Sequence, residues 1–207
     1  MKQTPILFKT EMVEAILDGR KTQTRRIIDG APSQVIWNPI VLNGHGGWCD
    51  DHGKPIKCRF GQPGDRLWVK ETFTYVEDTS YDDYASNGGI CYKASCQGDR
   101  NDFKWKPSLF MPREASRITL EITDIRVERL LSISEEDAIA EGVDKVSKPG
   151  APMTLWRNYS PKDVETFGRF DTVFAAQESY FSLWDSINGK QSHLLNPWLW
   201  VIEFKQI

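Results

Sequence analysis

Apolar residues along this chain fall into short, separated clusters, and each cluster has a period that predicts an element. Ile6-Leu7-Phe8 reads as a short opening strand. Met12, Val13, Ile16 and Leu17 then share one face of a helix predicted from about Glu11 to Asp18, with Thr10 as its N-cap and Gly19 as its stop. Residues 20–28 read as extended, because Thr22 and Thr24 alternate and Ile27-Ile28 follow. Arg66-Leu67-Trp68-Val69-Lys70, after the turn signal Pro63-Gly64-Asp65, is a second strand. The clearest strand runs from Ile118 to Val127. Its apolar phase passes from Ile118, Leu120 and Ile122 to Ile125 and Val127, which predicts a bulge or bend near Asp124.

Ser134 followed by Glu135-Glu136-Asp137 predicts a helix start, where acidic groups meet the positive end of the helix dipole, and Gly142 ends that helix within about two turns. Phe174, Tyr180, Phe181, Trp184 and Ile187 mark an amphipathic helix closed by Asn188-Gly189. Trp198 to Phe204 is an almost wholly apolar strand, opened by Pro197 where no ladder donor is missed. Between these elements lie three polar, Gly- and Asn-containing excursions, at about 29–64, 77–104 (with Asn87-Gly88-Gly89) and 144–171. A few short helices among strands too scattered for βαβ repeats predict a mixed α/β (α+β) fold, a small barrel with flanking helices. The whole of 1–207 reads as one domain with insertions.

Composition narrows the function classes. At 207 residues, 40% of them hydrophobic and 27% charged, the chain can bury a core without disulfide or metal staples. No run approaches the roughly 20 apolar residues of a membrane span, and the start of the chain is too weakly apolar for a signal peptide. The four cysteines do not form a secreted disulfide framework, so a reducing cytoplasm is expected. A net charge of -3 excludes bulk coating of nucleic acid and leaves only local patches. His45, Cys49, His52 and Cys58 are metal-capable, but their spacing is irregular beside the tight cysteine pairs of structural zinc, and no metal is expected. Cys91 and Cys96 read as a free, reduced pair.

The unusual segment is Gly19-Arg20-Lys21-Thr22-Gln23-Thr24-Arg25-Arg26, a cationic run directly after a helix stop. By spacing alone it is a solvated edge strand whose lysines and arginines deter aggregation. In a regular strand Lys21 and Thr24 also point to opposite faces, so a twist or bulge is needed to unite them.

The same run resembles the ASCH signature G-x-K-x-x-E-x-R of the PUA-like superfamily, with Gly19, Lys21 and Arg26 in place and Thr24 where many members carry glutamate. The ASCH amidohydrolases that cleave N4-acetylcytidine also carry threonine there. Ile133 to Val143 is similar to the helix that supplies their glutamate, with Glu141 at that position. Gly61 to Thr72, Met111 to Leu120 and the Asn196-Pro197-Trp198-Leu199-Trp200-Val201 ending resemble larger phage and prophage ASCH proteins.

The resemblance implies a PUA-like barrel, no cofactor, and a catalytic group of Lys21 as base, Thr24 as nucleophile and Glu141 as orienting or proton-carrying carboxylate. Arg26 or a backbone N–H would serve the oxyanion. The expected substrate is a modified cytidine nucleoside. Lys21 needs a depressed pKa, which burial and Arg20, Arg25 and Arg26 favour and Glu141 opposes. The alternative is a module binding single-stranded RNA or DNA, with or without nuclease action. Its surface would be built from Trp48, Trp68 and Trp105 beside Lys70, Lys106, Arg113 and Arg117. Glu71, in the shared phage-like segment, and Arg20, Arg25 and Arg26 join the candidate substrate- or nucleic-acid-binding residues. On its strand, Trp68 reads more readily as core.

Overall fold

A computed structural model of the protein describes residues 1–30, 32–39, 47–76, 89–96, 103–146, 154–159 and 172–207. In chain order the described elements are β1 (Gln3–Leu7), α1 (Thr10–Leu17), β2 (Gln23–Ile27), β3 (Val35–Asn38), β4 (Gly47–Asp50), β5 (Pro55–Ile56) and β6 (Arg66–Lys70). There follow β7 (Phe73–Tyr75), β8 (Ile90–Tyr92), β9 (Thr119–Arg129), α2 (Glu135–Ala140), β10 (Lys145–Val146), β11 (Leu155–Arg157), β12 (Thr172–Val173), α3 (Ala176–Asn188) and β13 (Trp198–Gln206). The class is mixed, mostly strand, with three α-helices among the described residues. No closed barrel is found among the described strands.

The chain divides into two units. Unit 1 comprises Met1–Gly19, Phe60–Thr123 and Phe204–Ile207, and unit 2 comprises Arg20–Arg59 and Asp124–Glu203. In unit 1, β1 runs parallel to β6 with Ile6 opposite Val69, and β6 pairs antiparallel with β9 through Leu67 and Leu120. Helix α1 buries Val13, Ala15 and Ile16. Its N-cap is Lys9, without a side-chain cap, so Thr10 lies inside the helix instead of capping it. Gly19, at φ +70°, closes it as expected from a residue without a Cβ. The turn before β6 is tied by Asp65, whose carboxylate accepts from Lys2 N at 2.6 Å and Gln62 N at 3.1 Å. Part of the expected excursion at 77–104 is structured, because β7 and β8 form a hairpin-like pair that buries Phe73 and Tyr92 against Met111 and Ala115. Residues 77–88, including Asn87 and Gly88, lie outside the described residues.

In unit 2, β2 pairs antiparallel with β13, Gln23 opposite Glu203 and Ile27 opposite Leu199. Leu199, Trp200, Val201 and Ile202 are all buried, so β13 is covered on both faces, and its continuous apolar run reflects that. The excursions here also fold. β3, β4 and β5 form an antiparallel sheet in which Trp37 meets Trp48 edge to face at 5.2 Å, and β10, β11 and β12 form a second. Strands of two to four residues are too short to show alternation, which is why they read as loop.

Helix α3 buries Ala176, Ser179, Tyr180, Leu183 and Trp184 and ends at Gly189, φ +107°. Phe174 precedes the helix and is 70% exposed, and Ile187 is also exposed, so neither belongs to the apolar face expected for them. Strand β9 is continuous, and the inward parity changes along it from Leu120 and Ile122 to Val127. Unit 1 stops at Thr123 and unit 2 resumes at Asp124, the position of the expected phase change.

Candidate functional site

The site is built on the C-terminus of α2, where the last turn leaves carbonyls without intrahelical donors. Ser134 caps the other end by accepting from Asp137 N at 3.1 Å, as its position before three acidic residues predicts. Glu141 is the C-cap residue and Gly142 follows at φ +86°. The segment after α1 supplies the missing donors. Thr22 N donates to Ala140 O at 2.9 Å, Lys21 Nζ to Glu141 O at 2.9 Å, and Arg20 Nη1 to Gly142 O at 3.2 Å. Two cations thus meet the negative end of the helix dipole.

Lys21 is fully buried, and its Nζ also donates to Glu141 Oε2 at 2.7 Å. Lys21 precedes β2, so the pleat of that strand does not dictate its direction. Within β2, Gln23 donates to Asp137 O at 2.9 Å. Arg25 donates to Glu141 Oε1 at 3.3 Å, Glu128 Oε2 at 2.9 Å and Asp137 Oδ2 at 2.7 Å. Arg126 braces the same carboxylates from β9, reaching Glu128 Oε1 at 2.6 Å and Asp137 Oδ2 at 2.7 Å, and it also pairs with Glu203. Thr24 is buried between Gln23 and Arg25, with its backbone opposite Ile202, and alternation turns its side chain and that of Arg26 to the other face of β2.

Electrostatics follow from this packing. Burial pulls the Lys21 amine below the usual lysine range. Glu141 opposes the shift through charge and hydrogen bond, while Arg26 and Arg25 add to it. Burial also lowers Arg26. For Arg25, burial is outweighed by Glu141, Tyr180 and Asp137, and the guanidinium is held more firmly charged. Asp137 stays below the carboxylate range because Arg25 and Arg126 together outweigh its partial burial. Burial, and then the charge of Glu141, hold the Tyr180 phenol protonated well above its ordinary range. The arrangement places an amine whose pKa burial lowers next to a carboxylate whose second oxygen is held by an arginine.

Of the residues expected from the sequence, Lys21 and Arg25 each meet Glu141, Thr24 and Arg26 lie on β2 with their side chains on the face opposite Arg25, and Arg20 bonds Gly142 O and Asp144 at the rim. Glu71, Trp105, Lys106, Arg113 and Arg117 belong to unit 1. There Glu71 and Arg117 form a two-pronged ion pair, at 2.9 and 3.0 Å, with Arg117 over the Tyr92 ring, so each satisfies the other. Lys106 lies over the exposed Tyr75 at 4.6 Å, and Trp105 packs against Phe103. Trp68 is half-buried and is flanked by Lys70 at 5.5 Å and Arg113 at 5.6 Å.

Gln23, Arg126, Glu128 and Asp137 were not expected in the site. The signal for Arg126 and Glu128 was their i, i+2 spacing, which puts both on one face of β9. Asp137 was read only as part of a helix start. Among the metal-capable residues, Cys49 Sγ contacts Ile36 O at 3.5 Å, the His52 ring is largely exposed, and His45 lies outside the described residues. Among the described residues no cluster of three or more His, Cys, Asp or Glu is placed to hold a metal, and no helix is long and apolar enough to cross a membrane. Comparisons with family models, with curated proteins and with solved structures found no match to this chain.

Proposed function

We propose that this protein is an ASCH-type amidohydrolase of PUA-like fold that removes the acyl group from an N4-acylated cytidine. The reading is carried by one contact. Lys21 and Glu141, paired in advance by resemblance and 120 residues apart, meet at 2.7 Å in the interior. A buried ion pair contributes little net stability, because desolvating both partners offsets their attraction. A functional reason for keeping it therefore gains weight. The conflict between a base and an adjacent carboxylate is also eased, since the net pull on Lys21 is downward.

In this reading Thr24 Oγ1 attacks the acyl carbon and passes its proton to neutral Lys21. The tetrahedral intermediate collapses as the C–N4 bond breaks, and cytosine N4 leaves with the proton from Lys21. Water then attacks the acyl-threonine ester, Lys21 takes the water's proton, and the carboxylic acid departs as Thr24 recovers its hydrogen. Glu141 orients the amine throughout, and Arg25 orients Glu141. The test is release of cytidine and acetate from N4-acetylcytidine. K21A, T24A and E141A should each lower kcat/KM by on the order of 10²–10⁴-fold. An inactive wild-type protein removes the proposal.

A second reading, single-stranded nucleic-acid binding, is favoured by the Trp68 ring between Lys70 and Arg113 and by the Lys106–Tyr75 pair. Bases stack on such rings while the cations hold phosphate. Salt-sensitive binding of single-stranded RNA that weakens in W68A supports it, and binding unchanged in W68A removes it.

A further inference from the structure

We infer that the buried face of α3 and the facing side chain of β2 bind carbonyl oxygens of the pyrimidine substrate, through the indole N–H of Trp184 and the Nε–H of Arg25, both beside the Tyr180 ring. The ligand's identity rests on the hydrolase reading, and the site itself on the packing of unit 2. Trp184 Nε1 and Arg25 Nε are both buried with no hydrogen-bond partner. Buried polar groups in folded proteins nearly always have one, so two exceptions beside the same ring require an explanation.

The two donors are linked in space by Tyr180. Its ring centroid lies 5.9 Å from Arg25 Cζ and 6.4 Å from the Trp184 ring. Tyr180 and Trp184 are four residues apart in α3 and so share a face of that helix. Arg25 is held by its terminal nitrogens on Glu128, Asp137 and Glu141, which fixes the plane of the guanidinium and leaves Nε without a partner.

Indole and guanidinium N–H groups donate and cannot accept. A ligand satisfying both must bring acceptor oxygens, which excludes an ammonium or a metal cation. An acylated cytosine presents two, the ring 2-oxo group and the acyl carbonyl. Arg25 also holds Glu141, which holds Lys21, so this site shares a side chain with the proposed reacting centre.

The experiment follows indole resonances in ¹H–¹⁵N spectra during titration with cytidine and, separately, N4-acetylcytidine. The Trp184 peak is identified by its loss in W184F or, if that variant does not fold, by through-bond connection to its own backbone. A saturable shift of that peak is expected, together with a KM for N4-acetylcytidine raised about tenfold in W184F at near wild-type kcat. Turnover that depends on Lys21 while the Trp184 peak stays fixed overturns this inference and leaves the hydrolase reading intact. A saturable shift without turnover removes the hydrolase reading and keeps the ligand site. Neither shift nor turnover overturns both.

Discussion

The amine of Lys21 sits between opposed influences, and the balance gives a sharp test. Its burial and the neighbouring Arg26 and Arg25 favour the neutral form, and Glu141 favours the charged one. If Lys21 is the base, the acid limb of kcat/KM against pH reports its ionisation in the free enzyme. Replacing Glu141 by Gln removes the charge that lifts the amine, so in E141Q that limb should move to lower pH. A limb that stays or moves upward rules out Lys21 as the base. Removing one partner of a buried pair also strands the other, at about 3–5 kcal/mol. By urea denaturation E141A should lose more stability than K21A, because Glu141 keeps Arg25 when Lys21 is gone whereas Lys21 loses its carboxylate. At this scale Lys21 and Glu141 were legible only through the resemblance. Composition treats buried charges as improbable, and nothing in the local pattern says that Gln23 and Asp137 meet.

Helix α2 spans only Glu135–Ala140, too short to persist alone in water. Its stability comes from its ends, namely Ser134 at the start and the Arg20–Thr22 segment at the finish. S134A should therefore cost about 1 kcal/mol. It should also speed amide exchange at Asp137, whose N–H loses its acceptor, and unchanged exchange there would mean that the cap does not hold the helix. The start and stop of this helix were readable because Ser134, the acidic run and Gly142 are local signals. The cap of α1 was misread because Thr10 is as good a cap by type as any, and the choice of Lys9 is made by backbone geometry (φ -72°, ψ 160°) rather than by side chain. The three small sheets within the excursions escaped notice for another reason. Their stability comes from pairing across the chain, and two to four residues carry no period of their own.

Across the whole molecule, each unit depends on an aspartate with a depressed pKa. In unit 1 the Lys2 amide, followed by that of Gln62, lowers Asp65. In unit 2 Arg25 and Arg126 lower Asp137 against the cost of its burial. A carboxylate depressed in the folded state contributes stability above its unfolded pKa of about 3.9, and that contribution is lost as pH falls through the folded value. D65N and D137N should each be less stable than wild type at neutral pH, with the difference narrowing below pH about 4. Denaturation curves with a constant difference down to the acid transition would contradict this. The mixed class was legible at this scale from the order of short elements. The division into units was not legible, because the phase change near Asp124 reads in the sequence as a bulge or bend within one strand. One consequence concerns synthesis on the ribosome. The grip of residues 20–22 on the carbonyls of residues 140–142 joins parts of the polypeptide that are made far apart in time. A nascent chain halted before Glu141 emerges holds its lysine in water, fully protonated, and the contact between the two cannot form until that later residue has left the ribosome.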